Sequence, residues 1–157
     1  MTEHLFLTGD IQVGKSTLLR RYFAEKKCRI GGFRSVWGDS EHRTLHLLPY
    51  DSGICLEENC IAERTSGKLI PHPEVFDRIG PTLLDLPCDI LVMDELGFLE
   101  NDAHDFQAAV LAALNRNTPI VGVIKPRHTD FLDAVRSHRC VRIVEVTIEN
   151  RETLPLF

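Results

Sequence analysis

Two stretches of this chain hold residues whose types and spacing suit phosphate chemistry. The first, Gly9-Asp10-Ile11-Gln12-Val13-Gly14-Lys15-Ser16, fits G-x-x-x-x-G-K-[ST], the Walker A phosphate-binding loop. Gly9 and Gly14 open backbone conformations closed to residues with a Cβ. Successive N–H groups can then turn inward as an anion nest, backed by the positive end of the helix that follows. The expected nucleotide-binding residues are therefore Gly9, Asp10, Ile11, Gln12, Val13, Gly14, Lys15, Ser16 and Thr17. Lys15 would reach the β- and γ-phosphates, and the Ser16 hydroxyl would hold Mg²⁺.

The second stretch is Ile90-Leu91-Val92-Met93, a continuous apolar run, followed by Asp94-Glu95. Such a run marks a strand buried on both faces. Two carboxylates at its end would be costly without a cation or a proton to serve. In P-loop enzymes this is the Walker B position. Asp94 is expected to hold Mg²⁺ directly or through water, and Glu95 to polarise the attacking water. A third group follows the next apolar run: Lys125, Arg127, Arg136 and Arg139. Any of them could be a solvated surface charge. Arg127, at a strand's C-terminal end, is the best candidate for a cation on the transition state, and His128 reads as a loop residue.

The elements that must position these groups are legible in outline. Leu5-Phe6-Leu7 reads as the strand before the loop. Ser16 to Lys26 reads as the helix after it, with Leu18, Leu19, Tyr22 and Phe23 at helical spacing. Phe33–Trp37 and Thr44–Leu48, separated by Gly38-Asp39-Ser40, predict an antiparallel hairpin, with extended chain on to Leu56. Residues 59–73 read as an irregular loop with Gly67, Pro71 and Pro73. Glu74 to Ile79 predicts a short helix, and Pro81 should open another to Leu86. Asn101 or Asp102 should cap a helix carrying Phe106, Ala109, Val110, Ala113 and Leu114 on one face. Ile120–Ile124 and Val141–Ile148 read as strands around a short helix, Asp130–Ser137, and Asn150–Phe157 as a tail that packs back. Alternating strands and helices mean βαβ units and a mostly parallel sheet with helices on both faces. The expectation is an α/β, three-layer P-loop domain over residues 1–157, with a hairpin insertion at about 33–56.

Composition narrows the class. The 157 residues are 43% apolar and 26% charged, enough for one domain with a core. A net charge of -5 with no long basic run does not indicate nucleic acid as a partner. No apolar stretch approaches the ~20 residues of a membrane helix, and the N-terminus shows no signal peptide. A cytoplasmic protein is expected. Cys28, Cys55, Cys60, Cys88 and Cys140 are odd in number and scattered, which suggests free thiols. Cys55 and Cys60 are spaced C-x4-C without a second pair, a weak match to structural zinc.

Taken together, several stretches resemble the THEP-type nucleoside-triphosphatases, small P-loop proteins. The resemblance rests on the Walker A loop, Ile30-Gly31-Gly32-Phe33, Gly67-Lys68 with Phe76 and Pro81, Asp94-Glu95-Leu96-Gly97, and Val146-Thr147 with Asn150-Arg151 through Leu154-Pro155. It implies hydrolysis of several nucleoside triphosphates, ATP and GTP among them, with Mg²⁺ as cofactor. It also implies a sheet of the RecA and AAA type, in which Glu95 activates water. The family often has a Lys directly after its D-E-I-G, where this chain has Phe98, and Asp10 adds a negative charge to the loop. Beside hydrolysis, two other readings stay open: a kinase for a nucleotide or another small molecule, and a nucleotide-binding switch.

Overall fold

The computed structural model describes residues 2–10 and 14–154. In chain order the elements are β1 (His4–Thr8), α1 (Lys15–Ala24), β2 (Ile30–Trp37), β3 (Thr44–Pro49), β4 (Cys60–Thr65), β5 (Lys68–Pro71), α2 (Pro73–Asp85), β6 (Ile90–Leu96), α3 (His104–Leu114), β7 (Ile120–Ile124), α4 (Asp130–Ser137) and β8 (Val141–Glu145). They form one eight-stranded sheet in the order β5-β4-β3-β2-β6-β7-β1-β8. Strands β2, β6, β7, β1 and β8 pair in parallel, while β3, β4 and β5 continue antiparallel. The fold is α/β with a mostly parallel sheet. One strand, β7, lies between β1 and β6.

Alternation along β1 sets the layers. Leu5 and Leu7 face a core built with Leu18, Leu19 and Phe23 of α1 and with Val146 and Leu154 beyond β8. Phe6 points the other way, into a larger core with Val75, Phe76 and Leu84 of α2, Phe106 and Val110 of α3, and Phe131, Leu132 and Val135 of α4. Helices on both faces explain why β6 and β7 are apolar on both sides. His4 is fully buried at the start of β1. Its Nδ1 accepts from the Ile120 N–H and its Nε2 lies 2.8 Å from the Leu114 carbonyl. That pairing makes Nε2 the protonated nitrogen of a neutral ring, and burial lowers its pKa.

Several expectations are corrected. Residues 60–71 are not a loop but a second hairpin, β4–β5, turning through Ser66 and Gly67 at positive φ. The signal was hidden because Glu63, Arg64, Thr65 and Lys68 are exposed at the sheet edge, where apolar alternation is not required. The expected hairpin of Phe33–Trp37 with Thr44–Leu48 is present as β2–β3, but β2 also pairs with β6 in the parallel core. The two helices expected around Pro81 are one, α2, with Pro81 inside. Proline disfavours helix in its predecessor mainly through that residue's Cβ and N–H, and the predecessor here is Gly80. Gly80 also lets α3 approach, since a Cβ there would lie 2.2 Å from Phe106 Cδ1. Neither Asn101 nor Asp102 caps α3; instead Asp77 of α2 accepts from the Phe106 N–H at 2.8 Å.

The I-G-G-F segment has a steric cause. A Cβ at Gly31 would sit 2.8 Å from Cys88 Sγ, and one at Gly32, at φ +96°, would sit 1.8 Å from the Val92 carbonyl oxygen. Gly32→Ala therefore meets both backbone strain and a clash with the central strand. It should lower stability by about 3 kcal/mol or more, read as a fall in the urea midpoint at unchanged slope.

Candidate active site

Glycine geometry delivers the loop to the sheet edge. Gly9 and Gly14 both have positive φ, 145° and 95°. Gly14 is the left-handed N-cap of α1, and its carbonyl takes the Leu18 N–H at 2.8 Å. Ile11, Gln12 and Val13 lie outside the described residues. Asp10 is exposed, and Thr17 is exposed on the first turn of α1. Lys15 folds back on its own loop, donating to the carbonyls of Gly9 and, at 3.1 Å, Asp10. Burial lowers its pKa, with Glu95, Asp10 and Asp94 pulling the other way.

Strand β6 brings the carboxylates to the same edge. Ser16 Oγ donates to Asp94 Oδ1 at 3.0 Å. In a regular strand Asp94 and Glu95 would point to opposite faces. The β6–β7 ladder shifts between Asp94, opposite Val123, and Leu96, opposite Ile124. Glu95 is thus the extra residue of a bulge, a device that re-aims a side chain, and both carboxylates line one cleft of about 170 Å³ with Ser16 and Lys125. Asp94 is buried, and desolvation pushes its pKa to about 6 against the Ser16 hydrogen bond; Glu95 pushes in the same direction as burial.

The cations divide. Lys125 Nζ lies 3.6 Å from Glu95 Oε1. Arg127 is exposed and stacks its guanidinium over the Phe98 ring at 4.3 Å, with Lys125 Nζ 5.4 Å from the same ring. Arg136 bonds the Lys125 carbonyl and Asp133 Oδ1, so it braces the strand end rather than entering the cleft. Arg139 is exposed beyond α4, and His128 is exposed and paired with Asp133.

Four residues near the site were given no role by their spacing, although Arg151 belongs to the closing stretch that carries the resemblance. Arg151, from the segment after β8, places its Cδ 3.8 Å from where a Cβ on Gly14 would stand. Tyr50 buries its hydroxyl with no partner among the described residues, as does Thr8 at the end of β1. Glu100 is 2% exposed in the loop after β6. Its Oε1 accepts from the Gly97 N–H at 2.8 Å, and its carbonyl takes the Ala103 N–H and the Gln107 side chain. Desolvation pushes this carboxyl up to about 8, overcoming the backbone hydrogen bonds that favour its charge. A tertiary contact made across the sheet, or a lone glutamate after Phe98-Leu99, has no spacing by which to be found.

Comparison with known proteins points one way. The family model described as NTPase matches residues 4–156. The nucleoside-triphosphatase THEP1 of Methanosarcina acetivorans is 30% identical over 160 residues, covering 95% of this chain and 90% of that protein. The THEP1 of Thermofilum pendens is 24% identical over 166 residues, covering 98% and 91%. Among solved structures, the crystal structure of THEP1 from Aquifex aeolicus superposes with a TM-score of 0.76 at 19% identity, covering 97% of this chain and 94% of that one. The solution structure of a human cancer-related nucleoside triphosphatase gives 0.73 at 21%, covering 96% and 92%. At these identities the two structural likenesses concern the fold.

Glu100 sets a pH dependence of stability. Its folded pKa of about 8 lies above the ordinary 4.5, so between those values the folded state holds a proton that the unfolded state has released. Stability from this group is therefore greatest below pH 4.5 and falls as pH rises to 8, by on the order of 4 kcal/mol. Glu100→Gln keeps an acceptor for the Gly97 N–H and removes the titration. The difference in melting temperature between pH 5 and pH 8 should be smaller in this variant than in the parent, measured by calorimetry without nucleotide.

Proposed function

Because this chain belongs to the NTPase family, and so is a nucleoside-triphosphatase, we propose that it hydrolyses ATP, GTP and related triphosphates to the diphosphate and phosphate with Mg²⁺ in the cleft between α1 and β6. The observation that carries this reading is the Ser16–Asp94 hydrogen bond beside Glu95. A hydroxyl and a buried carboxylate in contact form a hard-oxygen donor set of the kind Mg²⁺ takes while keeping several waters. The raised pKa of Asp94 also marks a charge that burial leaves undercompensated. Ser16 and Asp94 would hold the ion. When bound, it would neutralise charge on the β- and γ-phosphate oxygens.

The chain's own residues supply the rest. Gly9 to Thr17 wrap the phosphates. The Lys15 ammonium leaves the Gly9 and Asp10 carbonyls for β- and γ-phosphate oxygens. Glu95 orients a water for in-line attack on the γ-phosphorus and takes its proton as the bond to the β–γ bridging oxygen breaks. Lys125, paired with Glu95 at 3.6 Å, fixes that carboxylate and brings a cation to the neighbourhood of Phe98. Arg127 is the second candidate for transition-state charge, and engages it on leaving the Phe98 face.

Transfer to a small acceptor instead of water has one observation in its favour: the cleft runs on from Glu95 past Trp37, Leu45, Ile61 and Phe76. Phosphate release with no acceptor added separates the two readings. Hydrolysis predicts release from Mg·ATP and Mg·GTP alone. Lys15→Ala should weaken nucleotide binding at least tenfold. Glu95→Gln should keep binding and lower turnover by about 10²–10⁴. Unchanged turnover in Glu95→Gln would remove the assigned base. The pH arm follows from Asp94: a carboxyl at about 6 must lose its proton to hold a cation. Below pH 6 the Mg²⁺ concentration for half-maximal release should rise about tenfold per pH unit.

A further inference from the structure

Away from the cleft, three features of the sheet edge converge on one point. The ladder between β3 and β4 pairs Leu45 with Ala62 and His46 with Cys60, leaving Ile61 as an extra residue. An extra residue offsets the two-residue alternation of a strand. Cys60 and Glu63, three apart in sequence, therefore meet on one face, with Sγ 3.9 Å from Oε1. The β4–β5 hairpin pairs Ala62 with Pro71, and the His72 N–H donates to the Ile61 carbonyl at 2.7 Å. His72 is the N-cap of α2, immediately ahead of Pro73 at the first turn. Its Nε2 comes 3.6 Å from Glu63 Oε1.

The ligand atoms of Cys60, Glu63 and His72 all lie within 4.8 Å of one another. On a tetrahedral Zn²⁺ with bonds of roughly 2.0–2.3 Å, ligand atoms stand about 3.5 Å apart, so the measured 3.6 and 3.9 Å are close to what the ion requires. A second observation comes from the far side of the imidazole. His72 Nδ1 faces Glu74 Oε1 at 3.8 Å, within an ion pair though short of a hydrogen bond, on the side where metal-binding histidines take an orienting carboxylate. Cys55, the partner suggested by the C-x4-C spacing, is not in the cluster.

We propose that Cys60, Glu63 and His72 bind Zn²⁺, with water completing the coordination, and that the ion clips the β4–β5 hairpin to the start of α2. The thiolate selects a borderline-soft ion over Mg²⁺, whose preference is for oxygen. None of the three residues lines the cleft with Asp94 and Glu95, so the two cation sites are separate and the proposal stands independently of the hydrolytic assignment. Without metal, Cys60 rests as a thiol donating to the Ala62 carbonyl at 3.3 Å, its pKa raised by burial. Binding displaces that proton.

The test is titration of chelator-treated protein with Co²⁺ in excess Mg²⁺, followed by Zn²⁺. The expected result is one equivalent of Co²⁺ with a thiolate-to-metal charge-transfer band, bleached by stoichiometric Zn²⁺. Cys60→Ser should abolish the band. Glu63→Gln, at an exposed position that folding tolerates, and His72→Asn should weaken Zn²⁺ binding at least tenfold, and Glu74→Gln by about 10–100-fold. Zn²⁺ should raise the melting temperature of the parent and leave that of Cys60→Ser unchanged. A missing band, a band that survives Cys60→Ser, or unaltered Zn²⁺ affinity in both Glu63→Gln and His72→Asn would overturn the proposal.

Discussion

The hydrogen bond from Ser16 to Asp94 joins residues 78 apart in the chain, and the architecture is arranged so that it can form. Strands β1 and β6 are parallel and separated by β7 alone, so their C-terminal ends open on the same edge. The gap admits only a thin neighbour. Gly122 of β7 faces Phe6 and the Met93 carbonyl, and a Cβ there would lie 2.5 Å from Phe6 Cε1. Buried Phe6 and Met93 flank the strand. A side chain at Gly122 would collide with the Phe6 ring of β1 and the Met93 carbonyl of β6, the strands that lead to the loop before α1 and to Asp94.

Electrostatics at that edge follow from the same burial. Asp94, Glu95 and Glu100 crowd one end of the sheet, and the nearest ammonium groups are Lys15 and Lys125. The carboxyls respond according to exposure. Asp94 rises to about 6, and the more buried Glu100 to about 8. Active sites concentrate shifts of this kind because groups that must meet a charged ligand are desolvated before it arrives. Among the described residues, Glu100 bonds none of the loop before α1. It holds Gly97 and the turn into α3, and so fixes the backbone from which Phe98 meets Lys125 and Arg127.

What the sequence made legible was the chemistry that is local. Gly9 to Ser16 and Asp94-Glu95 are contiguous, and their flanking apolar runs identify strand and helix without tertiary information. Between Lys125 and Arg127 the sequence favoured Arg127 on position alone, whereas Lys125 is the cation paired with Glu95. Both follow β7, and only the Glu95 bulge and the Phe98 ring decide which cation faces which partner. The β4–β5 hairpin was missed because the end of β4, beside the edge strand β5, faces water along Glu63, Arg64 and Thr65 and does not alternate. Helix α2 was split because Pro81 reads as a start signal, and only the packing of Gly80 on Phe106 shows why the helix continues. Cys60, Glu63 and His72 belong to a strand start, a strand middle and a helix cap, so no linear spacing unites them.

The edge that hid from sequence reading also governs how the sheet ends. Strand β5 is four residues long, begins at Lys68 and stops at Pro71, which has no N–H to offer. A long, flat, apolar outer strand would act as a template on which another chain could add in register. Here a newcomer meets a short rail with a charge at one end and a missing donor at the other. The eight-stranded sheet thus stops growing at a built-in terminus on its β5 side.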